Sequence, residues 1–141
     1  MTYEDVFSGG FALLGALLSW FFGDFDGVVK LLLALVVIDQ ITGVIKAGVL
    51  RKWSSAAGFN GIARKVMMFL LVGIANLIDK EFHTEVLRDG VSFFYVANEG
   101  LSIIENAIEM NAPVPEALKE RFLSWRNRQL LSKNDPADSE D

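Results

Sequence analysis

A chain of 141 residues has room for one domain, and this one is 52% hydrophobic against 22% charged, with a mean hydropathy of +0.35, more apolar than a soluble domain of its size. It has no cysteine and a single histidine, His83, which excludes disulfides and thiolate or multi-histidine metal sites; no phosphate loop, nucleophile elbow or metal-ligand spacing is present, so neither an enzyme nor a cofactor is expected. The net charge of -5 comes mostly from Asp135, Asp138, Glu140 and Asp141, and the rest is close to neutral, which argues against nucleic acid as a partner.

The chain opens on MTYEDV, acidic where a secretory signal is basic, so the apolar run behind it is expected to be retained. From Val6 to Gly23 no charged residue occurs. At 1.5 Å per residue this run spans roughly 27 Å, close to the thickness of a bilayer core. GDFDG then reads as a turn, and a second apolar helix is expected over about 28–50. The stretch RKWSSAAGFNG reads as a basic loop of small residues, followed by a third helix over about 62–78. DKEFHTEVLRD reads as a charged connection to a fourth helix over about 90–110. Asn111 suits a left-handed helix end, and PVP breaks the chain direction.

PEALKERFLSWRNRQLL predicts a short amphipathic helix with Pro115 at its start, within a cytoplasmic segment at 111–133. Residues 134–141 read as a disordered acidic tail. The expected architecture is all-α: an integral membrane domain over 1–110 with about four hydrophobic helices, making three to four spans, and the amphipathic helix after it.

Charge sets the orientation. Lys46, Arg51, Lys52, Arg64 and Lys65 flank the second connection with no acid among them, whereas the other two connections are net acidic. The positive-inside rule places the basic loop of Arg51, Lys52, Arg64 and Lys65 in the cytoplasm. Four spans put both termini inside; a first segment that lies in the interface, or crosses late, leaves its N-terminus outside.

Polar residues fall on faces. Asp39, Thr42, Gly43 and Lys46 share one side of the second helix. Asp39 and Lys46 are two turns apart, roughly 10 Å, so a neighbouring helix must complete their pairing. In the fourth helix Tyr95, Asn98, Glu99, Ser102, Glu105, Asn106 and Glu109 fall within about 120°. Three carboxylates facing lipid would cost roughly 9 kcal/mol. That face must therefore meet polar partners, line water, or lie on the membrane surface. The first segment gathers Ser8, Ala12, Gly15, Ala16, Ser19 and Gly23 within about 100°. Such a stripe lets helices approach closely in lipid, within one chain or between copies.

Five pieces in order resemble one family: DQITGVIKAG, RKWSS, GFNGIARKV, NEGLSIIENA and APVPEALKE, spread over about Val36 to Glu120. The family is the toxin-secretion and phage-lysis holins. Asn111 departs from the glycine expected there, but asparagine tolerates the same backbone. The resemblance implies a protein that oligomerises in the bacterial cytoplasmic (inner) membrane and makes it permeable, so that a murein hydrolase or a large toxin escapes. It implies no catalysis. The partners implied are the lipid bilayer and further copies of the chain, with an antiholin as a candidate and the hydrolase or toxin as cargo that need not be bound. An antiholin or scaffold of the same fold, forming no hole, is the alternative. With the family in view, Asn98, Glu99, Ser102, Glu105, Asn106, Glu109, Asp39 and Lys46 become candidates for a pore wall or polar interface, with internal pairing the better account of Asp39. The small residues of the first segment become the candidate packing surface.

Overall fold

The computed structural model describes residues 3–133, with side chains from Phe7 to Leu130. Within that range the chain is all-helical: α1 (Tyr3–Phe22), α2 (Gly27–Val49), α3 (Ser55–Phe82), α4 (Val86–Glu109) and α5 (Glu116–Lys133). The 134–141 stretch, read as a disordered tail, lies outside the described residues.

Local chemistry sets the helix ends. Asp26 caps α2, its carboxylate accepting the Val29 amide at 3.1 Å, and Ser54 caps α3 by accepting the Ala57 amide at 3.2 Å. α2 and α4 close in the same way. Arg51 (φ 51) and Asn111 (φ 55) are left-handed; the Lys52 amide donates to the Ala47 carbonyl at 3.0 Å and the Ala112 amide to the Ala107 carbonyl at 2.9 Å, which satisfies carbonyls a helix end would leave open.

α3 starts seven residues before the position expected from the sequence. Gly58 and Gly61 read as loop formers, but they sit in open space on a helix that Ser54 has already capped, and the cost of a helical glycine, about 1 kcal/mol each, is borne by a long helix. Arg64 and Lys65 lie on α3, as the expected helix over 62–78 already placed them, and the earlier start sets more than two helical turns between them and Arg51 and Lys52 in the turn, so the four bases do not form one loop. α5 forms where expected, but it is not simply amphipathic: Leu118, Phe122 and Trp125 share a side, whereas Leu123 and Leu130 fall on others.

α2 and α4 run parallel in close contact, and α3 runs antiparallel to both. Leu32, Val36, Met68 and Val72 form the core, with Phe22, Phe69, Val91, Tyr95 and Val96 around it. α1 joins through its C-terminal end. The Phe21 ring sits so close to Gly73 that a Cβ there would overlap it, and Gly23 (φ 76) turns the chain where a Cβ would strike Asn76.

The molecule is inside-out relative to a soluble bundle. Leu31, Val37, Ile41 and Ile45 on α2, and Val66, Leu70 and Ile74 on α3, are exposed, while Asn76, Asp79, Arg88, Ser92 and Asn106 are buried. Outward apolar faces around inward polar ones fit a lipid solvent. α2 and α3 are long and apolar enough to cross a membrane, and the apolar part of α1, Phe7–Phe22, is shorter. Trp20 and Trp53, both exposed, mark opposite ends of the bundle, as anchors at two interfaces would.

Candidate functional site, a polar ladder between three helices

The polar residues inside the bundle form two groups. The first is centred on Lys65 of α3. Its ammonium lies 2.8 Å from Asp39 Oδ2 on α2 and also bonds Glu99 Oε2 on α4. Asn106 of α4 donates to Asp39 Oδ1 at 3.1 Å and to Thr42 Oγ1 at 3.0 Å, and the Thr42 hydroxyl donates back to the Asp39 carbonyl at 3.0 Å. One turn or more beyond, Lys46 pairs with Glu109 at 3.2 Å. The face shared by Asp39 and Lys46 is thus completed by different partners: Asp39 by α3 and α4, Lys46 by α4.

This group opens into a cavity of about 480 Å³ at the end of the bundle where α2 turns into α3, lined by Gly43, Lys46, Trp53, Gly61, Ser102 and Asn106 among others. Lys65, Asp39 and Glu99 are each nearly buried, at 15%, 12% and 12% side-chain exposure. One cation between two anions leaves an excess negative charge, which the Asn106 amide moderates by donating to the Asp39 carboxylate.

The second group ties the opposite end together. Arg88 of α4, buried, donates to the Phe22 carbonyl at 3.0 Å and the Asp24 carbonyl at 2.7 Å, and pairs with Asp26 at 2.8 Å. Burial works against the Asp26 charge, but the Val29 amide and the Arg88 guanidinium more than offset it, so this carboxyl is held below the usual aspartate range. Asp79 of α3 accepts the Leu87 amide at 3.2 Å and the Arg88 amide at 2.7 Å; it caps α4 in place of Glu85, whose side chain makes no capping bond. Asn76 donates to the Phe21 carbonyl at 2.9 Å and Lys80 to the Trp20 carbonyl, which closes the end of α1.

Among the residues singled out from the sequence, the structure joins Asp39, Glu99, Asn106 and Lys65 in one network and Lys46 with Glu109 in a pair. Ser102 is half-buried on the cavity wall. Asn98 is exposed and Glu105 half-buried, and neither enters the network. On α1, Ala12, Gly15, Ala16 and Ser19 are exposed, and nothing lies within 4 Å of a Cβ placed at Gly15. Ser8 is exposed on the same helix, while Gly23 serves the turn instead. The knot of Asn76, Asp79 and Arg88 was missed in the sequence. Asp26 before an apolar run is a readable cap signal, but Asp79 and Arg88 look like solvent-exposed charges, and Asn76 like a lone amide in an apolar run, until the phases of α3 and α4 are known.

No solved structure matches the chain. Among proteins known by sequence, it is 37% identical over 122 residues to a probable holin of Bacillus phage phi105, covering 84% of this chain and 90% of that one. It is 42% identical over 121 residues to an uncharacterized protein of Listeria monocytogenes, covering 85% and 86% of the two chains. An uncharacterized 14.9 kDa protein of Clostridium perfringens is 33% identical over 122 residues, covering 85% and 92%. Residues 16–127, which contain the whole polar ladder and most of α5, match the bacteriophage holin family. The chain is a member of the bacteriophage holin family.

Proposed function

We propose that this protein is a holin in the working sense: it assembles in the bacterial cytoplasmic membrane, with the basic α2–α3 turn and α5 on the cytoplasmic side, and opens a lesion through which a murein hydrolase reaches the wall. Family membership supports the reading. The observation that carries it further is the contrast between α1 and the rest. Asp39 of α2 and Glu99 and Glu109 of α4 find partners inside the single chain, whereas Ala12, Gly15, Ala16 and Ser19 of α1 are exposed, with nothing within 4 Å of a Cβ placed at Gly15. A face of small side chains in lipid suits close approach of a second helix, so α1 is the surface on which copies associate. In the assembly, Asn98 and Glu105, which lie outside the internal network, form the polar strip that meets water or the next copy.

The test is expression in a bacterium carrying a cytoplasmic murein hydrolase without an export signal. Growth should stop abruptly and the cells lyse; without the hydrolase, membrane potential should collapse while the cells stay whole. Glu105→Ala should shift the onset of lysis without lowering the amount of inserted protein. If abundant, inserted native protein leaves potential and viability unchanged, the lesion reading fails and a regulatory role takes its place.

A further inference from the structure

We propose that α5, with the α2–α3 turn beside it, is a docking surface for the headgroups of anionic phospholipids. The proposal needs the bundle to sit in a membrane, but it is independent of whether the assembly opens a hole.

α5 starts from the end of the bundle marked by the Lys46–Glu109 pair, the end at which Arg51 and Lys52 turn α2 into α3. It is not packed along any of the other four helices. Down its axis, Leu118, Phe122 and Trp125 occupy a strip about 60° wide. Arg121 and Arg128 flank the strip on one side, Lys119 and Arg126 on the other, while Glu116 and Glu120 lie on the opposite face. The hydrophobic side chains are scattered, but the charges are sorted.

The strip is used unequally. Phe122 is buried, with the Arg126 guanidinium 6.0 Å from its ring centroid, and Lys119 is half-buried beside it. Leu118 and Trp125 remain 41% and 45% exposed, with Arg121 and Arg128 fully on the surface next to them. Neither guanidinium has a carboxylate partner among the described residues; Arg128 Nε meets only the Ser124 carbonyl, at 3.4 Å. Across the same end of the bundle, Arg51 and Lys52 are exposed, with Trp53 and Phe59 equally open.

Such an edge matches the boundary of a bilayer. A tryptophan ring settles at headgroup level, and a guanidinium fork fits the oxygens of a phosphate. Each base near an anionic surface raises the docked-to-undocked ratio roughly fivefold. An acidic protein would satisfy the same charges, but the exposed Trp125–Leu118 edge is apolar and follows in the chain a bundle whose outward faces suit lipid, so the apolar contact favours a bilayer. The acids Asp135, Asp138, Glu140 and Asp141, which follow α5 in the sequence, carry the charge of the lipid surface and oppose the docking.

The experiment uses the full chain with Trp20→Phe and Trp53→Phe, which leaves Trp125 as the one tryptophan of the three. It is reconstituted into vesicles of brominated phosphatidylcholine, with and without brominated phosphatidylglycerol. Trp125 emission should be quenched when phosphatidylglycerol is present and recover in molar salt. Arg121→Gln with Arg128→Gln should lower the docked-to-undocked ratio roughly twenty-fivefold while the bundle still resists alkaline extraction. A chain ending at Lys133 should dock more tightly. Equal quenching in phosphatidylcholine alone, or quenching unchanged in the double variant, overturns headgroup recognition. Emission that ignores lipid but follows the number of copies per vesicle overturns it as well, and assigns the edge to protein.

Discussion

Asp39 and Glu99 are anions on two parallel helices, and only the ammonium of Lys65, reaching in from the antiparallel one, lies against both. Removing the cation strands two nearly buried carboxylates. Lys65→Met should therefore destabilise the bundle by about 3–5 kcal/mol, measured as unfolding in mild detergent. Replacing all three, Lys65→Met with Asp39→Leu and Glu99→Leu, should return most of that loss, because no charge is then left unpaired. A Lys65→Met chain as stable as the native one would show that the network is ornamental. The sequence made half of this site legible. Helical phase alone put Asp39 on one face with Thr42 and Lys46, and Glu99 with Asn106. It did not identify Lys65 as the partner, because the positive-inside rule groups Lys65 with Arg51, Lys52 and Arg64 at one membrane interface, and phase within a helix does not say which neighbouring helix that face meets.

At the scale of the element, α1 is distinguished by how little holds it. Its contacts are concentrated at Phe21, whose ring faces Gly73, and at the Trp20, Phe21 and Phe22 carbonyls gripped by Lys80, Asn76 and Arg88. Gly73→Ala should drive the ring out and cost about 1–3 kcal/mol. Adding Phe21→Ala should recover part of it, so that the double variant is less damaged than the two single changes summed. Simple additivity in the same detergent unfolding would mean that Phe21 and Gly73 do not touch. Helix number and order were legible from apolar runs and breakers. The start of α3 was not, because Gly58 and Gly61 look like loop formers, nor was the α3–α4 junction, because the polar residues from Asp79 to Arg88 look like a loop while Asp79 and Arg88 are in fact an inter-helix knot.

At the scale of the whole molecule, the exterior is apolar along α2 and α3, and the interior is tied by ions and amides. Composition pointed to that inversion, since 52% hydrophobic residues is more than a core of this chain's size can hide, and the buried apolar cluster around Leu32, Val36, Met68 and Val72 is correspondingly small. What composition leaves open is which chains of contact close within one copy. The polar ladder closes by itself, and the small face of α1 does not. That division separates the part of the protein that makes a folded subunit from the face on which, in the function proposed above, copies would meet.

The Lys65 bridge also dictates an order of manufacture. α4 carries Glu99, Glu105 and Glu109, and alone in lipid it would bear roughly 9 kcal/mol of exposed charge. Glu99 is neutralised by a lysine that emerges earlier on α3, and Glu109 by one on α2. In the membrane placement proposed above, the α2–α3 hairpin, whose two helices are long and apolar enough to cross alone, is expected to be in place before α4 enters, so that α4 is received by a prepared groove. A chain ending before Val86 should resist alkaline extraction from membranes, whereas α4 produced alone should be washed away. Retention of isolated α4 would remove the dependence. On that reading, a ribosome that stalls between Phe82 and Val86 should leave behind an inserted hairpin with an open acceptor cleft, and completion of the subunit should wait on the next twenty-odd residues.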